Sequence, residues 1–175
     1  ALGVNFFGPT LLLNNSSFET AGSQVRFFGP VAVRNDVALT DTANGLISFV
    51  NTVPVVGGVE LGAAIDAAPG SNGSLTISAG PMGTVTLFDV GPAAQLASLT
   101  VNSGAINYRG QRYDAVAQSY TADMFNMLGD GPGTPGNAIA FSGVTPGMNV
   151  QTLSFLDQGG GMDAAMQVAS GVAVT

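Results

Sequence analysis

A repeat of 21 residues near the start of the chain constrains its fold more than any other feature of the sequence. The letters FFGP at residues 6–9 recur at residues 27–30. The same shift relates three further pairs of positions: Asn14 and Asn35, Phe18 and Leu39, and Phe28 and Phe49. Self-similarity with a period in the twenties is typical of a solenoid, in which each repeat forms one coil that packs on the next.

Between the turns, apolar and polar residues alternate with the period of a β-strand. Residues 31–34 and 37–40 each place two larger apolar side chains on one face, and residues 83–88, GTVTLF, alternate throughout. The letters SLTI at residues 74–77 recur as SLTV at residues 98–101, a shift of 24 residues. Short runs of period two, separated by glycine, asparagine and proline, predict strands joined by tight turns.

Other segments are less regular. Residues 51–73 predict a coil with an insertion at one corner, and residues 63–68 within it are compatible with one helical turn. Residues 111–128 fit either a pair of strands or a short helix, and residues 162–175 fit either a short helix or a last strand. Residues 129–137, GDGPGTPGN, predict a loop because glycine and proline interrupt regular structure.

These patterns predict an all-β solenoid, a parallel β-helix of about five to seven coils. We expect a single domain over residues 1–175, with clearer repeats in 1–128 and less regular terminal coils in 129–175. The main alternative fold is a β-sandwich.

Stacking of equivalent residues, about 4.8 Å apart in neighbouring coils, predicts columns of like side chains. We expect Phe7, Phe28 and Phe49 to form an aromatic ladder in the interior or along one corner. We also expect Asn14 to lie over Asn35 in an amide ladder at a turn.

Two stretches resemble a known family of repeats. Residues 83–110, GTVTLFDVGPAAQLASLTVNSGAINYRG, and residues 27–53, FFGPVAVRNDVALTDTANGLISFVNTV, resemble the strand repeats of filamentous-haemagglutinin-like and autotransporter-like adhesins. These are large secreted surface proteins of bacteria, and the resemblance covers residues 6–126. It implies a right-handed parallel β-helix that is exported and displayed, often as one segment of a far longer chain.

The charge of the chain argues against several partners. Only 9% of the residues are charged, the net charge is −7, and the basic residues are Arg26, Arg34, Arg109 and Arg112. A surface that follows phosphates needs clustered lysine or arginine, so nucleic acid and anionic membranes are not expected partners. The most apolar window, residues 46–65, is interrupted by polar residues, proline and glycine, so we predict no membrane insertion.

The sequence predicts no cofactor, no metal site and no catalytic residues. It contains no cysteine and no histidine, which excludes disulfides, cysteine nucleophiles, histidine acid–base catalysis and zinc sites built on these ligands. Residues 131–136, GPGTPG, match the spacing of a dinucleotide-binding loop. Two prolines remove backbone donors there, however, and residues 138–141 predict a strand where that loop needs a helix. We therefore predict that the chain is not an enzyme.

A polysaccharide-processing β-helix enzyme is the alternative. It would gather several acidic and basic side chains in a groove along one face, and the candidates are Asp36, Asp41, Asp89, Asp114, Arg109 and Arg112. The simpler interpretation is that these residues are solvated at turns or form surface ion pairs.

The sequence favours a structural or adhesive extracellular protein of a bacterial surface, either a β-helical segment or a self-assembling filament subunit. Its surface should be poor in charge and rich in threonine, serine, asparagine and alanine. An ice-binding face needs ranks of Thr-x-Thr, and Thr84 with Thr86 is a pair without clear copies. The expected partners are other copies, contacted through coil ends or edge strands, and host or surface glycans.

Overall fold

The structure of the chain, a computed structural model, describes residues 3–12, 16–51, 61–110, 112–127, 139–142, 145–155 and 166–168. Within these ranges all regular structure is β, and no helix is present. The strands in chain order are β1 Val4–Phe6, β2 Thr10–Leu12, β3 Ser16–Thr20, β4 Val25–Phe27, β5 Val31–Val33, β6 Asp36–Asp41, β7 Leu46–Ser48, β8 Val50–Asn51, β9 Leu61–Gly62, β10 Ile65–Ala67, β11 Ser74–Leu87, β12 Leu96–Tyr108, β13 Arg112–Met127, β14 Ile139–Ser142, β15 Thr145–Phe155 and β16 Met166–Val168.

The strands wind as a parallel β-solenoid of about five turns, which confirms the predicted fold class. Each coil contributes to three sheets: sheet 1 begins β1-β4-β7, sheet 2 begins β2-β5-β10, and sheet 3 begins β3-β6. The long strands β11, β12 and β15 run through a corner, so that their first parts continue sheet 3 and their last parts continue sheet 1. Among the described strands, every pair is parallel except β8 with β9. A β-sandwich, whose neighbouring strands are antiparallel, is therefore not the fold.

The second repeat seen in the sequence sets the register of two coils. Residues 74–77 of β11 pair in register with residues 98–101 of β12, so each residue of SLTI lies beside its copy in SLTV. The corresponding residues of β6, 36–39, pair with the other side of β11. The 24-residue shift in the sequence is thus one turn of the solenoid.

The predicted insertion lies in the third coil. Residues 28–30 join sheet 1 to sheet 2 in the second coil, whereas residues 49–64 make the same connection in the third. Strands β8 and β9 pair antiparallel within that connection. Residues 52–60 lie outside the described part of the chain.

The helical turn considered for residues 63–68 is wrong. Residues 65–67 form strand β10, which pairs in parallel with β5. Ala63, Ile65 and Ala67 are buried, while Ala64 and Asp66 are partly exposed, so the segment alternates as a strand does. Pairing within the sheet overrides the preference of alanine for helix. Residues 112–127 likewise form a strand rather than a helix.

The interior is filled by every second residue of each strand. The largest wholly buried side chains include Phe27, Phe49, Leu39, Ile47, Ile65, Leu75, Ile77, Leu87 and Phe125, together with all three tyrosines. This continuous apolar core lies between the three sheets.

The aromatic columns differ from the prediction by one residue. Phe7 stacks on Phe28 with ring centroids 4.9 Å apart, but this pair lies outside the core, and Phe7 is 78% exposed. Phe49 stacks on Phe27 instead, so its predicted place over Phe28 is wrong. Phe27 in turn stacks on Phe6, and these three rings form the interior column.

The turn before β7 explains why Phe49 stacks on Phe27 and not on Phe28. Thr20 pairs with Asp41, and Val25 pairs with Ile47. Residues 21–24 fill the first interval and residues 42–46 the second, so the turn in the second coil is one residue longer. The period of 21 holds between the first two coils only.

We predicted an amide ladder in which Asn14 lies over Asn35, and of these two residues the structure describes Asn35. Asn14 lies outside the described residues. Asn35 occupies a corner with φ 56°, in the left-handed region that asparagine tolerates better than most residues, and its carbonyl accepts a hydrogen bond from the Ser74 N–H at 2.8 Å.

Candidate binding surface

The outward side of sheet 3 carries three columns of small polar side chains, which we call the hydroxyl face. The parallel register places equivalent residues of β3, β6, β11, β12 and β13 beside one another. The columns are Asp36, Ser74, Ser98 and Ala117; Ser17, Ala38, Thr76, Thr100 and Ser119; and Glu19, Thr40, Ser78, Asn102 and Thr121.

Strand alternation explains why these residues point outward. In β11, Leu75 and Ile77 are buried and supply the core, so the residues between them face solvent. Thr76 is exposed, and Ser119 two coils further along is exposed as well. Among the residues of the three columns only Asp36 and Glu19 carry a charge, and both belong to the first two coils.

Two shallow depressions lie along the margins of the hydroxyl face. One, of about 350 Å³, is bordered by Ser17, Asp36, Ala38, Ser74, Thr76 and Ser98. The other, of about 380 Å³, is bordered by Ser78, Pro81, Asn102, Thr121 and Asp123. Apolar atoms make up more of the exposed lining of each depression than polar atoms, and the polar part consists of hydroxyl, amide and carboxylate groups.

Sheet 1 presents one comparable column, in which Ser48, Thr86, Asn107 and Asn126 are successive register partners. Thr84 lies between Leu46 and Ala105, and Thr86 lies between Ser48 and Asn107. The sequence pair Thr84 and Thr86 therefore has no threonine copies in the adjacent coils.

An amide contact of the predicted kind does occur on sheet 1, although at a different place. Asn126 Nδ2 donates to Asn107 Oδ1 at 2.9 Å, and the two residues are partners in adjacent coils.

Asp41 is a structural carboxylate rather than a solvated turn residue, which corrects that interpretation. It ends β6 at the corner between sheets 3 and 1 and is 1% exposed. Its two oxygens accept hydrogen bonds from five donors in two coils: Thr20 Oγ1 at 2.7 Å and the N–H groups of Gly22 at 3.1 Å, Ser23 at 3.2 Å, Ala43 at 3.0 Å and Gly45 at 2.7 Å.

These hydrogen bonds determine the protonation of Asp41. Burial by itself raises the pKa of the carboxyl group, because it removes water from the charged form. The Thr20 hydroxyl and the N–H groups of Gly45, Ala43 and Gly22 outweigh that effect and lower the pKa below its ordinary value. The ionised side chain thus ties the turn of one coil to the turn of the next.

Three of the six residues proposed for an enzyme groove meet at a corner near sheet 2. The Arg112 N–H donates to Asp89 Oδ1 at 3.0 Å, and the Arg112 guanidinium lies 2.8 Å from Asp114 Oδ2. Asp114 also accepts from Gln95 Nε2 at 2.5 Å. Asp36 lies away from this corner and borders a depression on the hydroxyl face, and Asp41 sits at another corner. The hydrogen bonds at this corner hold its turns together.

The three tyrosines form one buried cluster in the later coils, a feature that the sequence reasoning missed. Tyr108 stacks on Tyr113 with centroids 3.8 Å apart, and it meets Tyr120 edge to face. Tyr120 donates to Gln118 Oε1 at 2.5 Å, and Gln118 Nε2 donates to the Tyr113 carbonyl at 3.1 Å. Burial raises the pKa of each tyrosine hydroxyl.

Several negative observations apply to the described part of the chain. No group of three or more acidic side chains is placed to hold a metal ion there. The described residues also include no helix that could span a membrane. The GPGTPG segment at residues 131–136 lies outside the described ranges.

Comparisons with known proteins find no relative. No protein-family model, no curated protein and no solved structure matches the chain.

Proposed function

We propose that the chain is a structural and adhesive protein of a bacterial surface, which binds neutral glycans through the hydroxyl face. One observation carries the proposal: Thr76 and Thr100 are register partners, as are Ser78 and Asn102, so equivalent polar groups repeat along the solenoid. Neighbouring strands in a sheet are about 4.8 Å apart, which gives the face a regular spacing. A polysaccharide is a ligand that also repeats its polar groups.

The chemistry of the face suits sugar hydroxyls. Serine and threonine hydroxyls both donate and accept hydrogen bonds, and asparagine amides do the same with two different atoms. When a ligand covers a surface with few charges, few charged groups lose their water. The desolvation free energy of the contact is therefore lower than at a charged surface. Many weak contacts along one polymer add up through effective concentration.

A location outside the cell is part of the same proposal. It is supported by the likeness of residues 83–110 to adhesin repeats and by the scarcity of charge. Antibody labelling of intact, unpermeabilised cells that make the protein should give a surface signal. Labelling that appears only after permeabilisation would contradict the proposed location.

Binding is tested with two double variants that carry the same added charge. Thr76→Glu with Thr100→Glu places two carboxylates on the hydroxyl face, and Thr86→Glu with Asn107→Glu places two on the outward side of sheet 1. We expect the first variant to lose at least about tenfold in affinity for polysaccharide-coated surfaces, because charged groups must be desolvated at the contact. The second should bind like the unmodified chain. Equal losses in both variants would show that the hydroxyl face is not the binding surface.

A further inference from the structure

The corner between sheets 3 and 1 becomes narrower from one coil to the next. Between its register partners on the two sheets, β11 has five residues, 79–83, whereas β12 has two, 103–104. β13 also has two, residues 122–123, and the coil before β11 has five, residues 41–45. Additional residues in one strand form a bulge that stands out from its neighbour. The wider coils therefore end in a step, and β11 forms the edge of that step.

The step is held in place from both sides. The Met82 N–H donates to Asn44 Oδ1 at 3.0 Å, which ties the edge of the step to the coil before it. On the other side the backbone of the bulge lies directly on Gly104, where a Cβ atom would come within 2.3 Å of the Pro81 carbonyl oxygen. The side of Pro81 that faces solvent is thus a preformed wall, and a preformed wall lowers the entropic cost of binding.

The depression of about 380 Å³ on the hydroxyl face lies beside this step, and we call it the corner pocket. Pro81 lines it from the step, while the register partners Asn102 and Thr121 line it from the next two coils. Ala122 and Asp123 border it as well. The lining offers amide, hydroxyl and carboxylate groups but no basic side chain, and more of its exposed surface is apolar than polar. Its volume suits a small group rather than a large ligand.

The same corner carries exposed apolar side chains. Met82, in the step, is 82% exposed, and Met124, which follows Asp123 in β13, is 50% exposed. They are two of the five large apolar side chains that are exposed in the described part of the chain. Apolar surface beside a few convergent polar groups is typical of a ligand site. A ligand that matches this corner combines an apolar group with neutral polar groups.

We infer that the corner pocket binds the acetamido group of an N-acetylhexosamine unit in a polysaccharide. This group joins a methyl group to an amide, whose N–H donates and whose carbonyl accepts. Pro81 and Ala122 supply apolar surface for the methyl group. The Asp123 carboxylate accepts the N–H, and the Asn102 amide or the Thr121 hydroxyl donates to the carbonyl. The inference deepens the proposed function and rests on it, because the pocket belongs to the hydroxyl face.

Other sugars match less of the pocket. A hexose brings hydroxyl groups but no apolar group to cover the wall at Pro81. A uronic acid would place a second carboxylate near Asp123, and no basic residue lines the pocket to offset the repulsion. A free amino sugar would pair with Asp123, but an ion pair at an exposed carboxylate contributes little.

Three soluble oligosaccharides of equal length and linkage test the inference. They are built from N-acetylglucosamine, glucose or glucosamine, so they differ only in carrying an acetamido, hydroxyl or amino group. Isothermal titration calorimetry with the unmodified chain should show that the acetamido oligosaccharide binds at least about tenfold more tightly than the glucose oligosaccharide. A buried methyl group and an additional hydrogen bond together account for a preference of this size.

Two variants with the same added charge locate the preference. Thr121→Glu fills part of the corner pocket with a carboxylate beside Asp123, and Thr86→Glu adds the same group on the outward side of sheet 1. We expect Thr121→Glu to bind the acetamido and glucose oligosaccharides equally, whereas Thr86→Glu keeps the tenfold preference. Both side chains point outward, so both variants should keep the thermal midpoint of the unmodified chain.

The outcomes separate this inference from the proposed function. Equal affinity of the unmodified chain for the acetamido and glucose oligosaccharides would overturn the inference and leave the proposed function standing. A preference that persists in Thr121→Glu would overturn it because the acetamido group would then bind elsewhere. Tighter binding of the glucosamine oligosaccharide would overturn it in favour of charge recognition. If the chain binds none of the three and no polysaccharide-coated surface, the proposed function is wrong and the inference falls with it.

Discussion

The ring of Phe49 lies flat on the ring of Phe27, with centroids 4.7 Å apart and planes 6° from parallel. On its other side Phe27 carries Phe6, again at 4.7 Å. Phe27 and Phe49 are wholly buried. This column joins the first three coils through side-chain contact inside the core, in addition to the backbone hydrogen bonds between strands.

The position of Phe27 predicts a large effect of its removal. Phe27→Ala should lower the free energy of unfolding by about 3–5 kcal/mol, because it removes a wholly buried ring that has neighbours on both sides. Phe7→Ala serves as the control, since Phe7 is largely exposed, and should change the free energy by less than about 1 kcal/mol. Urea denaturation measures both. Equal effects of the two substitutions would contradict the assignment of the interior column.

The sequence repeat was enough to predict the winding but not which residues lie inside. It correctly indicated parallel coils, the insertion in the third coil and the pairing of residues 74–77 with residues 98–101. It placed Phe49 over Phe28 because a period carries no information about one additional residue in a turn. The structure puts that residue in the longer turn at residues 42–46, where Asn44 takes φ 63°.

The roles of the polar residues were harder to predict for a physical reason. Asp41 was interpreted as solvated, yet it continues the inward alternation of Val37 and Leu39, and the turn after it supplies N–H donors. Alternation followed by a turn is the signal that could have identified it. The hydroxyl face depends on register between coils that are 19 to 38 residues apart in the chain, as the pairs Leu99 with Gln118 and Val37 with Leu75 show. Because these spacings are unequal, a search of the sequence for a single repeat period does not find the columns.

Replacement of Asp41 should destabilise the chain strongly. Asp41→Ala leaves five donors of the corner without their acceptor, and we expect a loss of about 2–4 kcal/mol in the free energy of unfolding. Asp36→Ala, at the exposed start of the same strand, is the matched control and should have little effect. A loss below about 1 kcal/mol at Asp41 would show that solvent or other groups replace the carboxylate.

The lowered pKa of Asp41 predicts that the stability of the folded chain depends on pH. Its pKa is lower in the folded chain than the ordinary value of 3.8, so the folded state favours the ionised carboxylate. The stability that this group contributes is present above pH 3.8 and is lost as the pH falls through the pKa of the folded state. Thermal midpoints measured from about pH 6 to pH 2 should therefore fall less in Asp41→Asn than in the unmodified chain. Parallel curves for the two chains would contradict the lowered pKa.

The tyrosine cluster predicts an abrupt alkaline titration. All three tyrosines are buried, and burial raises the pKa of each hydroxyl above the ordinary value of 10.0. The unfolded chain loses these protons first, so the stability that they contribute is present below pH 10 and is lost as the pH rises beyond it. Phenolate absorbance should appear together with unfolding in the native chain, whereas in denaturant it should follow a simple curve near pH 10. A native curve that matches the curve in denaturant would place the tyrosines in contact with solvent.

The register of adjacent coils on the hydroxyl face is the central claim, and a cysteine pair tests it most directly, since the chain has no cysteine of its own. Thr76 and Thr100 are register partners, so their Cα atoms should be about 5 Å apart, within the range that a disulfide spans. Thr76 and Asn102 are offset by two residues and should be about 8 Å apart, beyond that range. Mass spectrometry after mild oxidation should show an intramolecular disulfide in the Thr76→Cys, Thr100→Cys chain and none in the Thr76→Cys, Asn102→Cys chain. A disulfide that forms equally well in both, or only in the second, would contradict the register on which the hydroxyl face depends.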